Sequence, residues 1–166
     1  ALGYITENAA TATLKGIELE FLLRLTEALE LGGNYAYLDT EFDEYVAEDG
    51  NYSGNELRQA PNKTASLYSK YTWKLDKGNL SVKVSYRFQD EMYYEPSNNT
   101  NSIAPRYRVW DARLGFTTEG GAWDIAAWIK NLGDEEYVHQ NVFFAGSGWG
   151  TFAPPRTSGV TFTYNY

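Results

Sequence analysis

Arg156-Thr-Ser-Gly-Val-Thr-Phe-Thr-Tyr-Asn-Tyr166 is the stretch that decides the fold. In an extended strand successive side chains point to opposite faces. Val160, Phe162, Tyr164 and Tyr166 therefore share one side, and Gly159, Thr161, Thr163 and Asn165 share the other. A soluble domain rarely closes on such a strand without a polar tail. A transmembrane β-barrel needs it as its closing strand.

Six runs upstream repeat the period of two. Ile17 to Leu25, Leu29 to Tyr37 and Ala65 to Leu75 each set apolar residues on every second position. In the fourth, Leu80, Val82, Val84, Tyr86 and Phe88 oppose Ser81, Lys83, Ser85, Arg87 and Gln89. Trp110 to Thr117 and Trp123 to Lys130 complete the set. The runs approach the roughly 9–11 residues that cross a bilayer as a tilted strand, where strands of soluble sheets are nearer 5–6. Tyr35, Tyr37, Tyr71, Trp73, Trp110, Trp123, Tyr164 and Tyr166 stand near run ends, while Leu, Ile, Val and Ala fill the middles. That placement predicts aromatic girdles at two membrane interfaces. The competing soluble reading is a sandwich whose aromatics stack on sugars; run length and aromatic placement favour the barrel.

The connections alternate in length. Thr26 to Ala28, Asp76 to Asn79 and Thr118 to Gly121 are tight, the last two glycine turns of hairpin type. Thr40 to Lys63, Asp90 to Arg106 and Asn131 to Pro155 are long. Short periplasmic turns and long extracellular loops predict a periplasmic C-terminus and place any ligand at the long loops.

Composition narrows the chemistry. The 166 residues contain no cysteine, a single histidine (His139), and a net charge of −8, with aromatics at 16%. Thiol chemistry and disulfides are excluded, and nucleic acid is disfavoured as a partner. No apolar run approaches the roughly 18 residues of a membrane helix. Ala1 opens directly into structured-looking sequence, so the chain is read as a mature protein or a fragment. No nucleophile–base pair, phosphate loop or metal-ligand set appears, so the chain is not read as an enzyme and no cofactor is expected.

Three segments carry a family resemblance. Asn131-Leu-Gly-Asp-Glu-Glu-Tyr137, after Trp128-Ile-Lys130, resembles the "KNL-x-D-x-x-Y" segment of TonB-dependent outer-membrane receptors. Pro155-Arg-Thr157 with Gly159 and the aromatic end at Tyr166 resembles their final strand, and Asn8-Ala-Ala with Leu14 to Glu20 resembles an earlier one. Asn131, Leu132, Asp134, Tyr137, Pro155, Arg156, Thr157, Gly159 and Tyr166 carry these motifs, with structural roles. Such receptors have 22 strands around a plugged lumen. The resemblance implies that residues 1–166 are the C-terminal segment of one all-β, antiparallel transmembrane barrel domain. About seven strands are visible, with Leu2 to Thr6 a possible stub of an eighth, and no plug domain. It further implies uptake of a scarce nutrient (a ferric siderophore, cobalamin or a saccharide), a bacterial outer-membrane location among lipid and lipopolysaccharide, and a TonB complex acting through the absent plug. The alternative is a small self-contained outer-membrane barrel with a structural or adhesive role.

Loop aromatics are the ligand candidates: Tyr45 and Tyr52, Tyr93 and Tyr94, and Phe143, Phe144, Trp149 and Phe152. They offer large, rigid contact area; the plainer alternative is loop-on-loop packing or an outer girdle. Asp43, Glu44, Glu48 and Asp49 form an acidic group better read as solvated loop than as a cation site. The inward charges Glu18, Glu20, Lys70, Lys83, Arg87, Asp111, Arg113, Asp124 and Lys130 are expected to make cross-strand ion pairs, some of them meeting the plug.

Overall fold

Alternation of apolar and polar residues drives one extended meander. A computed structural model describes residues 11–144 and 147–166. The Asn8-Ala-Ala motif and the stub at Leu2 to Thr6 lie outside the described residues. Seven long strands run antiparallel in chain order: β1 (Thr11–Arg24), β2 (Leu29–Glu44), β3 (Lys63–Leu75), β4 (Gly78–Gln89), β5 (Tyr107–Thr118), β6 (Trp123–Lys130) and β7 (Thr157–Tyr164). Each pairs with its neighbours in sequence, and β1 and β7 form the two edges of an open sheet. Among the described residues no helix is long and apolar enough to cross a membrane.

The register lines up the two faces across all seven strands. Leu19 opposes Tyr35, Tyr35 opposes Ala65, and Ala65 opposes Phe88. Further along, Leu80 opposes Phe116, Phe116 opposes Ile125, and Ile125 opposes Phe162. This apolar face is bare: Ile17 is 70% exposed, Leu114 48% and Phe162 67%. A continuous apolar surface of that extent is a binding surface for something, and strand length and girdle position make a bilayer the solvent that fits it. Tyr71 packs on Trp73, Tyr86 on Trp110 and Trp123 on Tyr164, with ring centroids 4.6–4.9 Å apart. Tyr71, Trp73, Trp123 and Tyr164 stand at the short-turn end; Tyr86 and Trp110 stand nearer the long loops.

Two boundaries differ from the sequence reading. β2 does not stop near Thr40 but continues to Glu44, pairing Thr40 with Leu14 and Phe42 with Ala12. Ladder hydrogen bonds are made by backbone, so a polar segment can extend a strand once it has left the bilayer. The bulge between Thr11 and Ala12 breaks the alternation there. Asp43 and Glu44 thus stand on a strand, and Asp43 accepts the Thr13 hydroxyl at 2.9 Å. At the other end β7 stops at Tyr164, because β6 begins at Trp123 and offers no partner beyond it. Asn165 is tied to the preceding turn through Ala122 and Gly121, while Tyr166 is fully exposed and off the strand.

Candidate ligand-facing lobe and inner wall

The first two long loops fold as one lobe. Two short ladders project from the sheet, Val46–Ala47 with Gly50–Asn51 and Met92–Tyr93 with Ile103–Ala104. Asn98 joins them from a left-handed backbone conformation, φ 50°, that asparagine tolerates better than most residues. Its Oδ1 accepts the Glu56 N–H at 2.7 Å and its Nδ2 donates to the Glu56 carbonyl at 3.0 Å. Asn55 Nδ2 donates to the Pro96 carbonyl at 2.8 Å, and the Gln59 N–H donates to the Tyr93 carbonyl at 2.7 Å. Beneath them Thr40, itself buried, accepts the Leu57 N–H.

The tyrosines expected to meet ligand divide by position. Tyr45 lies between Phe42 and Tyr52, with ring centroids at 4.9 and 5.4 Å. Tyr52 and Tyr93 are half-buried. Tyr94 is buried at 8% exposure, and its hydroxyl has no hydrogen-bond partner among the described residues. Burial pushes the Tyr94 phenol above its usual pKa, and the neighbouring Asp49 carboxylate does the same for Tyr52. Both phenols therefore stay protonated at neutral pH and act as neutral groups, not phenolates. In the third long loop Val138–Phe144 pairs with Ser147–Phe152 as a hairpin. Phe152 is 70% exposed at its base, whereas the side chains of Phe143, Phe144 and Trp149 lie outside the described part. Among the described residues no three His, Asp or Glu side chains come together as a metal-binding group.

Replacing Tyr94 by phenylalanine is expected to leave the lobe intact or strengthen it by up to about 1 kcal/mol. It removes a buried hydroxyl that makes no bond while keeping the ring. Limited proteolysis of residues 45–106 in the full-length protein reads this out, and faster cleavage in the variant would give the hydroxyl a partner and a role.

Asn131, Leu132, Asp134, Tyr137 and Arg156 gather at the root of the third loop, whereas Tyr166 stands at the opposite end of the sheet. Asn131 is buried with φ 53°. Its N–H donates to Asp111 Oδ1, its Nδ2 to the Glu135 and Pro154 carbonyls, and its Oδ1 accepts the Glu135 N–H. Leu132 N–H donates to the Trp110 carbonyl, and Asp134 accepts the Arg156 N–H at 2.7 Å. Tyr137 stacks on Tyr107 at 4.2 Å. Both ends of the loop are thereby fixed to β5. The signals that sequence reading missed are the tethers Asn55, Asn98 and Thr40, whose partners are 17–42 residues away in the chain.

The inner wall carries the expected ion pairs only in part. Arg24 meets Glu30 at 3.6 Å, Arg87 meets Asp111 at 3.7 Å, and Arg113 meets Asp124 at 2.6 Å. Lys83 instead lies over the Tyr68 ring at 4.4 Å and Lys130 over Trp128 at 5.6 Å.

Comparison with known proteins adds the following. Residues 1–132 match the family model described as TonB dependent receptor-like, beta-barrel. The "Ferrichrome outer membrane transporter/phage receptor" of Escherichia coli is 30% identical over 141 residues, covering 82% of this chain and 18% of that protein. The "Metal-pseudopaline receptor CntO" of Pseudomonas aeruginosa is 27% identical over 167 residues, covering 96% and 22%. Among solved structures, the ferric yersiniabactin uptake receptor FyuA from Yersinia pestis superimposes with a TM-score of 0.77 at 21% identity, over 90% of this chain and 23% of that one. The siderophore receptor PiuA from Acinetobacter baumannii gives 0.76 at 23% identity, over 93% and 22%. The chain spans about a fifth of the length of these relatives.

Proposed function

The chain belongs to the TonB dependent receptor-like β-barrel family, an outer-membrane family, and from that premise we propose that it is the last third of the barrel wall of a receptor for a ferric siderophore or a related metal chelate. The observation that carries this reading is the seven-strand sheet with one bare apolar face, capped at one end by loops knitted into a lobe. The relatives' names add the ligand class: ferrichrome in one, a metal–pseudopaline complex in another. In this reading the lobe and the third-loop hairpin face the cell exterior, and Tyr45, Tyr52, Tyr93 and Phe152 present their rings to the chelate. Phe143, Phe144 and Trp149 share that role, and Tyr94 props the lobe from beneath. The short turns and Tyr166 face the periplasm, and import is energised by TonB through a plug carried elsewhere in the protein. Lipopolysaccharide surrounds the outer rim.

The test is uptake of radiolabelled iron by iron-starved cells that carry or lack the gene for the full-length protein. The expected result is loss of uptake for one ferric chelate and, with Tyr93→Ala plus Phe152→Ala, weakening of its binding by about tenfold, equivalent to ~1.4 kcal/mol. Unchanged iron uptake together with lost growth on cobalamin or a saccharide would reassign the ligand.

A further inference from the structure

The inner wall holds a row of like charge in which two lysines have no carboxylate partner among the described residues. Lys70 on β3 sits directly opposite Lys83 on β4, and Lys83 directly opposite Arg113 on β5. Residues so paired have Cβ atoms about 4.5–5.5 Å apart, and like charges there repel. The row is not a by-product of a basic protein, because acidic residues outnumber basic ones by 22 to 14.

The carboxylates that could quench it are engaged elsewhere. Glu30, the cross-strand partner of Lys70, accepts from the Tyr68 hydroxyl at 2.9 Å and meets Arg24 at 3.6 Å. Asp111, one register step from Lys83, meets Arg87 and accepts the Asn131 N–H. Asp124 satisfies Arg113 and accepts the Thr117 hydroxyl. Among the described residues neither Lys70 nor Lys83 has a carboxylate within ion-pair distance. Beside the row a groove of 440 Å³, with Lys83, Arg113, Trp128 and Lys130 in its lining, leaves room for an incoming side chain.

We propose that Lys70 and Lys83 form a docking point for one or more carboxylates on the part of the receptor that fills the lumen. This rests on the receptor reading above. Barrels of the 22-stranded class have plugged lumens, and about four-fifths of the relatives' length has no counterpart in this chain. The occupant is thus an Asp or Glu side chain outside residues 1–166. It arrives at mid-height of the wall, where the two ammonium groups share it. A carboxylate so held is attached by charge alone, without apolar burial, and can slide from one lysine to the next as the plug shifts.

A zero-length carbodiimide tests this on the full-length receptor in outer membranes, since it joins an amine only to a carboxylate already in contact. Peptide mass spectrometry should find Lys70 or Lys83 joined to an Asp or Glu outside residues 1–166. That product should disappear in Lys70→Arg with Lys83→Arg, which retains the charge but not the reactive amine. Coupling only to Glu30 or Asp111, or no coupling while other lysines react, overturns the proposal. Iron uptake by the unmodified receptor is measured alongside. Uptake without the cross-link sinks this inference alone, and the cross-link without uptake sinks only the assignment of a metal chelate.

Discussion

Asn131→Ala is expected to lower the stability of the full-length receptor by about 2–4 kcal/mol, the size expected when a buried network loses the residue at its centre. Asn131 bonds both ends of the third loop and is almost fully buried. Alanine leaves the Glu135 N–H without its acceptor and the Glu135 carbonyl without its donor. It must also hold φ near 53°, where asparagine is tolerated and alanine is not. Glycine separates the two effects, because Asn131→Gly restores the backbone freedom and still lacks the amide. We therefore expect glycine to recover up to about 1 kcal/mol of the loss and no more. Thermal unfolding of the detergent-solubilised receptor, followed by the gel shift of folded barrel, measures all three proteins. A melting temperature for Asn131→Ala within a degree or two of the parent would show that the third loop is held by something else.

The same residue marks what a reader of the sequence could and could not see. The outward face was legible because every second residue from Leu80 to Phe88 is apolar, and one register then fixes all its neighbours. Asp124 falls on the inner face with Arg113 for the same reason. The extension of β2 through Asp43 and Glu44 was not legible, since a backbone ladder outside the bilayer imposes no side-chain pattern. Neither was the knitting of the lobe. The Asn98–Glu56 pair depends on one asparagine adopting a left-handed backbone, and nothing in Ser97-Asn98-Asn99 says which partner it will meet 42 residues away. Tyr93 and Tyr94 look equivalent in sequence, and only the fold turns one inward to 8% exposure.

Gly159→Val is expected to destabilise the terminal strand by about 2–3 kcal/mol through overpacking. Trp128 stands opposite Gly159 in the ladder, and its indole lies across β7 to donate to Thr161 Oγ1 at 3.1 Å. A Cβ at position 159 would come within 2.6 Å of Trp128 Cζ2 and 3.1 Å of Cη2. These are ring atoms, which cannot yield as the end of a flexible chain can. The indole must therefore swing off the strand, losing the Thr161 bond and its place beneath Lys130. Because the conflict is between two side chains, it should be removable from either side. Trp128→Ala should cost less in the Gly159→Val background than in the parent, a coupling of about 1–2 kcal/mol in a double-mutant cycle. Thr161→Ala alone deletes only the hydrogen bond and should cost about 1 kcal/mol. Additive losses in the cycle would mean that valine acts on the β7 backbone itself, and that the glycine is there for the strand and not for the tryptophan.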